Sequence, residues 1–207
     1  MQELFDAISS GDAGAIEAAL TKAGNSSAIL LSLYHGRRDL AQTLVDRGAK
    51  LTFPEAVALG DAKRVEEMLR SDPSLANAWS DDGYPALGLA IFFRQPDIAH
   101  ALIERGADVN ATARNPQKVA PIHAAATTGN TNMIRRLLEK GADPNARQQM
   151  GYVALHTAAL HGDRDMAEVL IKGGADSKLA ADDGTTAEAF ARQKGHESFV
   201  DWIRTMY

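Results

Sequence analysis

Apolar positions along this chain come in short alternating blocks of two kinds. One kind is a compact run rich in small residues, such as Ile122-His123-Ala124-Ala125-Ala126 or Leu155-His156-Thr157-Ala158-Ala159. The other is a longer amphipathic stretch with apolar residues three and four apart, as at Met133, Ile134, Leu137 and Leu138. Both spacings are helical. A glycine follows each block: Gly129 and Gly162 after the first kind, Gly141 and Gly174 after the second. Glycine suits the left-handed conformation in which many helices end. The pattern therefore predicts pairs of helices, a short one with small residues that permit close backbone approach and an amphipathic one packed behind it. A polar stretch with Asp and Gly leads from each pair to the next and is expected to turn.

The blocks repeat. Gly129, Gly162 and Gly195 are spaced 33 residues apart. A second series, Gly48-Ala49, Gly106-Ala107-Asp108, Gly141-Ala142-Asp143 and Gly174-Ala175-Asp176, runs in step with the first. The motifs Pro121-Ile122-His123 and Ala154-Leu155-His156, with the tails Gly-Ala-Asp-Val-Asn (106–110) and Gly-Ala-Asp-Pro-Asn (141–145), carry a resemblance to the ankyrin repeat. It extends over essentially all of the chain. The resemblance implies an all-α solenoid of stacked helix-turn-helix pairs with short β-hairpin fingers, in which no unit buries its apolar face alone but stacked neighbours do.

One array is expected over 1–207, with units at about 1–24, 25–50, 51–76, 77–110, 111–145, 146–178 and 179–207. The period is shorter at the start: Gly11 to Gly36 and Gly36 to Gly60 are about eight residues less than the later steps, with Arg94 standing where the fourth unit would have glycine. The deficit falls between Gly24 and Ile29 and between Gly48 and Phe53, where the family places its finger. Fingers are thus expected only at the four C-terminal junctions, near 77–86, 109–121, 144–153 and 177–186. Glu188 stands where inner units have Leu or Ile, and Gln193, Lys194, Glu197, Asp201 and Arg204 give the last helices a polar side, as a capping unit needs. Asp6, Ser9, Ser10 and Glu17 do so less clearly at the start, and a complete array is expected.

Composition narrows the function classes. Of 207 residues 45% are hydrophobic, enough for a large core, and the net charge of −5 supplies no basic field for nucleic acid or anionic membrane. No apolar run is long enough to span a bilayer. Cysteine is absent, which removes disulfides and thiolate zinc sites. The opening Met1-Gln2-Glu3-Leu4-Phe5-Asp6 does not read as a secretory leader, so a cytoplasmic setting is expected.

The polar residues that could carry catalysis or a metal have plainer readings. His123 and His156 hold one place in successive repeats, where the resemblance implies a histidine bonded to neighbouring backbone. His35 and His161 precede helix-ending glycines and should face the concave side, while His100 and His196 read as surface positions. Asp81-Asp82-Gly83 and Asp182-Asp183-Gly184 lack the continuation of a calcium loop and read as turns. Gly173-Gly174-Ala175-Asp176-Ser177-Lys178 lacks phosphate-loop spacing. No nucleophile–base pair or metal cluster emerges, so neither an enzyme nor a cofactor is expected.

Binding positions should be those that do not pack: finger tips and the two residues before each inner-helix glycine. The latter read Ser9/Ser10, Tyr34/His35, Ala58/Leu59, Phe92/Phe93, Thr127/Thr128, Leu160/His161 and Gln193/Lys194. An apolar centre at Tyr34, Leu59, Phe92 and Phe93 is flanked by polar ends. The nearby finger carries Trp79, Asp81, Asp82 and Tyr84, and later fingers offer Arg147, Gln149, Met150 and Tyr152. Aromatic and Arg anchors in an apolar centre with a polar rim mark protein interfaces. The expectation is a non-catalytic protein–protein interaction module, an adaptor or regulator acting as a monomer, with an unknown protein partner on its concave face. Its groove should be deepest at the C-terminal fingers and shallow at the N-terminal units. The alternative is a small ligand or nucleotide stacked on the same aromatics. A second alternative buries these rings as core, because the short junctions draw units two to four together.

Overall fold

The structure is a computed structural model that describes residues 25–206 and, before them, Asp6, Ala7, Ser10, Asp12, Gly14, Ala15 and Ala18. Most of unit one, including its expected cap residues Ser9 and Glu17, therefore lies outside the described residues. From residue 25 onward the chain is six helix pairs: α1 (Asn25–Tyr34) with α2 (Arg38–Asp46), α3 (Phe53–Leu59) with α4 (Ala62–Ser71), α5 (Ala86–Phe92) with α6 (Pro96–Glu104), α7 (Pro121–Thr127) with α8 (Thr131–Glu139), α9 (Ala154–His161) with α10 (Arg164–Lys172), and α11 (Ala187–Gln193) with α12 (Glu197–Ile203). Each inner helix contacts its own outer partner and the next inner helix, which is the contact pattern of a solenoid.

Capping residues start the helices. Asp61, Asn130 and Asp163 accept from the backbone N–H of Arg64, Met133 and Met166 at 3.1, 3.0 and 2.9 Å. The inner helices end on left-handed residues, Gly60, Gly129, Gly162 and Gly195, and Arg94 adopts the same conformation at φ 56 despite its Cβ. The alanines of the inner helices (Ala124, Ala125, Ala126, Ala158, Ala159) are buried, as are Met133, Ile134 and Leu137 on α8 and Met166, Ala167 and Leu170 on α10. Among the described residues the core divides in two. A small cluster around Ile29, Leu30, Leu33, Ala41, Ala58 and Leu59 meets the long one that runs from Phe53 to Ile203, and Leu51 and Phe93 touch both.

Fingers occur where the spacing placed them, and the link from Gly48 to Phe53 is short and carries none. They are tighter than β-hairpins: among the described residues there is no strand, and only the isolated bridges Trp79–Pro85 and Ala180–Thr186 form. The fingers hold each other through one backbone bond per junction: Arg114 N–H to Gly83 C=O at 2.8 Å, Gln149 N–H to Gln117 C=O at 2.9 Å, and Asp182 N–H to Met150 C=O at 3.0 Å.

Three further devices lock neighbouring repeats in register. Asn77, Asn110 and Asn145 each accept from the N–H of the next repeat's Asp108, Asp143 or Asp176 and donate to the carbonyl of Gly106, Gly141 or Gly174. Arg105 pairs with Glu66, and Arg136 with Glu104, both at 2.6 Å across adjacent outer helices. The third corrects the reading of His196 as an ordinary surface residue: its Nε2–H donates to the Leu160 carbonyl at 3.0 Å, one repeat back. Gln95 does the same toward Ala58, at 3.3 Å. At the end of the array Glu188, in the place that Leu87, Ile122 and Leu155 fill elsewhere, accepts from Arg192 and Arg204 at 2.5 and 2.9 Å.

Candidate functional site

His123 and His156 show how an inner helix is started here. Each ring accepts the N–H of the residue before its helix on Nδ1 (Ala120 and Val153, 3.0 and 3.1 Å). Each then donates Nε2–H to the following repeat, to Ala146 and Thr185 carbonyls at 2.9 and 3.0 Å. Burial lowers both ring pKa values below the ordinary imidazole range, as expected for neutral rings with structural bonds. These histidines are fully employed in packing. Among the described residues no group of three or more His, Asp or Glu is placed to hold a metal ion.

The expected binding residues separate into those free to meet a partner and those that are not. Tyr34, at 36% exposure, and Phe92, at 43%, present their rings to solvent. They lie 6.1 Å apart, and Tyr34 also neighbours Tyr84 at 6.3 Å and Phe93 at 5.2 Å. Beside them Tyr34, Tyr84, Pro85, Leu89, Phe92 and Val119 line a cavity of about 300 Å³ with no basic side chain in its walls. The Asp82 carboxylate lies close enough to act on the Tyr34 hydroxyl. Burial first, then that carboxylate, raises its ionisation above the ordinary phenol range.

Other expectations are corrected. Leu59 is 4% exposed and belongs to the small core, because the fingerless junction draws α1 and α3 together. Its carbonyl is also taken by Arg38. Phe93 is half-buried between the two cores, edge-on to Phe92 at 5.2 Å. The two adjacent phenylalanines thus touch edge to face, Phe93 packed against both cores and Phe92 exposed. Arg147 spends its guanidinium on neighbouring fingers, on Asp182 at 3.3 Å and the Ala180 carbonyl at 3.0 Å. Tyr152 is half-buried, stacked on Phe190 at 5.9 Å and edge-on to His156 at 5.4 Å. Leu160 is half-buried, whereas His161 is exposed with Nδ1–H on the Thr157 carbonyl. Met150 stands free at a finger tip, 57% exposed and left-handed at φ 62. The array is also not shallow at its N-terminal side. A second cavity, of about 540 Å³, opens between unit two and the first finger, walled by Leu30, Leu31, Phe53 and Met68 and by Trp79, Asp81 and Asp82.

Trp79 is half-buried, with the Arg114 guanidinium 3.7 Å above its ring, an arrangement that fixes the indole plane. Asp82 accepts from Ser80 within the turn, and Asp81 is exposed at the rim.

The sequence model for ankyrin repeats, in three copies, matches residues 53–148 and 122–205, most of the chain. The chain belongs to the ankyrin-repeat family. Ankyrin repeats are generally protein–protein interaction modules, and the family is typically non-catalytic. Among curated proteins the chain is similar to the E3 ubiquitin-protein ligase KEG of Arabidopsis thaliana, 33% identical over 44% of this chain and 6% of that protein. It is likewise similar to the human BCL-6 corepressor-like protein 1, 31% identical over 56% of this chain and 6% of that protein. A putative ankyrin repeat-containing protein of Treponema pallidum is 39% identical over 35% of this chain and 24% of its own length. The chain thus spans about 6% of the length of each of the first two relatives. Among the described residues no helix of this ankyrin array is long and apolar enough to cross a membrane.

Proposed function

We propose that the chain is a non-catalytic adaptor or regulator that holds a partner protein on its concave face, centred on Tyr34, Tyr84 and Phe92. The observation that carries this reading is the pair of exposed rings Tyr34 and Phe92, with the half-buried Tyr84 beside them, over an apolar cavity of about 300 Å³. Large exposed apolar rings in contact with each other are what a partner's side chain covers at an interface centre. The small-ligand or nucleotide reading has less support, because a phosphate would need basic groups and none lines the cavity. Aromatic stacking of a base also needs an open ring face, and the Tyr34 neighbours are tilted at 39–57° rather than parallel.

The test is retention of proteins from a native extract by the wild-type chain and by Phe92→Ser. Phe92 is exposed, so the variant should keep the wild-type unfolding midpoint while losing the retained partner. Equal retention by both would overturn the assignment of this face.

A further inference from the structure

The fingers form a row in which each one is bonded to its predecessor, and the row has a first member. Asp182 donates its N–H to the Met150 carbonyl of the finger before it, at 3.0 Å. Asp81 holds the same place in the first finger: both are the first Asp of an Asp-Asp-Gly turn, one residue past a backbone bond that closes it, Ser80 to Tyr84 and Ala181 to Thr185. Ahead of Asp81 the short link at 49–52 supplies no finger and hence no such carbonyl. The cavity of about 540 Å³ lies in this place, bounded by the start of α3 on one side and the first finger on the other.

Its walls hold two buried polar atoms without partners. Glu55 starts α3 as His123 and His156 start α7 and α9: Oε2 accepts from the N–H and hydroxyl of Thr52, both at 2.7 Å. The histidines use their second nitrogen to bond the next repeat. Glu55 can only accept, and its second oxygen, Oε1, is buried without a donor although the residue has no exposed surface. Trp79 lines the same cavity, and its Nε1–H is buried without an acceptor. Leaving such groups unmatched is costly, and native structures rarely keep two in one place without a use. Burial raises the Glu55 carboxyl above the ordinary range, with Asp81 adding to it. Glu55, Asp81 and Asp82 make the lining acidic, and no basic side chain is part of it.

We infer that this cavity receives an extended segment of the partner protein, lying where the omitted finger would lie and carrying an Arg or Lys side chain toward Glu55. The inference rests on the protein-binding reading and names the chemistry of one part of the partner. The segment's main-chain carbonyls accept from the Asp81 N–H and from Trp79 Nε1–H, as Met150 does for Asp182. Its basic group donates to Glu55 Oε1 and passes Asp81 and Asp82 at the rim. The aliphatic stem of the basic residue lies against Leu30, Leu31, Phe53 and Met68. Adding a strand to an open edge supplies affinity through backbone bonds and selectivity through the side-chain pocket.

The probe is a blocked pentapeptide, acetyl-Ala-Val-Arg-Val-Ala-amide, with the same peptide carrying Gln or Glu in place of Arg. The full chain is labelled with nitrogen-15, and the two indole N–H signals are followed. Trp202, near the other end, serves as the internal reference. The Arg peptide should move the Trp79 signal and not that of Trp202, and the Glu peptide should move neither. Glu55→Gln keeps the acceptor that Thr52 needs, so α3 should still start normally while affinity falls by roughly tenfold or more. Asp81→Asn, an exposed change, gives a second and smaller loss.

The inference is overturned if no peptide moves the Trp79 signal at about millimolar concentration. Equal response to the Arg and Glu peptides, or unchanged affinity in both variants, overturns it too. A response lost in Phe92→Ser but kept in Glu55→Gln moves the segment to the concave face. That result ends this inference and leaves the protein-binding reading standing.

Discussion

Replacing Gly129 and Gly162 by alanine separates two costs that a glycine at a helix end can hide. Both have positive φ, 68° and 64°. A Cβ at Gly129 would meet nothing within 4 Å, so Gly129→Ala measures the left-handed conformation alone. That strain is about 1–2 kcal/mol, partly offset by the lower entropy of the unfolded chain, leaving about 1 kcal/mol. At Gly162 the same Cβ would sit 2.9 Å from Cγ and Nδ1 of His196. The ring must move, and its bond to the Leu160 carbonyl goes with it. Loss of that bond adds about 1 kcal/mol, so Gly162→Ala should cost about 2 kcal/mol. Urea unfolding of both variants reads the difference as a shift in midpoint at constant slope. In a His196→Gly background the whole side chain is gone, and the two glycine substitutions should then cost the same. Equal costs in the wild-type background would refute the argument, as would a gap that persists without His196.

Three further predictions are independent of that one. Arg94 holds a left-handed φ of 56 where its counterparts are glycine, so Arg94→Gly should stabilise by roughly 0.5–1 kcal/mol, read as a higher urea midpoint. Phe93 is wedged between two cores and Phe92 is not. Phe93→Ala should therefore cost about 2 kcal/mol of stability, and Phe92→Ala less than about 0.5 kcal/mol, in thermal unfolding. The ring pKa values of His123 and His156 are lowered by burial, so the unfolded chain binds protons that the folded chain refuses. Their contribution to stability is complete above the ordinary imidazole pKa of about 6.5 and is lost as pH falls below it. His123→Gln should flatten that part of the stability profile, and an unchanged slope would show that the ring is not the group titrating.

The helical period and the glycine spacing were enough to read helix pairs, their order from residue 25 onward and the absence of a finger between Gly48 and Phe53. These features depend on local chemistry: which face is apolar, and where the backbone must turn left-handed. Arg94 was legible as a glycine substitute for the same reason, since its place in the period demands the conformation whatever the side chain. The roles of His123 and His156 were what the resemblance to the ankyrin repeat implied for their place in the unit.

What the linear pattern could not decide is which way a side chain faces once two repeats meet. Phe92 and Phe93 are identical in type and adjacent in sequence, yet one fills the seam between two cores and the other meets solvent. Leu59 reads as a free position by its distance from Gly60 and is buried because a fingerless junction brings α1 against it. His196 looks like an ordinary surface residue until the Leu160 carbonyl a repeat away is in place, 3.0 Å from its ring, and Arg147, though exposed, finds Asp182 a repeat on at 3.3 Å. The cavity beside the first finger is the extreme case. It arises from residues that are absent at 49–52, and its unpaired Glu55 oxygen and Trp79 N–H come from different repeats. Local propensity is a property of neighbours in sequence. Burial and hydrogen-bond satisfaction are properties of neighbours in space, and in a solenoid those lie a full repeat apart.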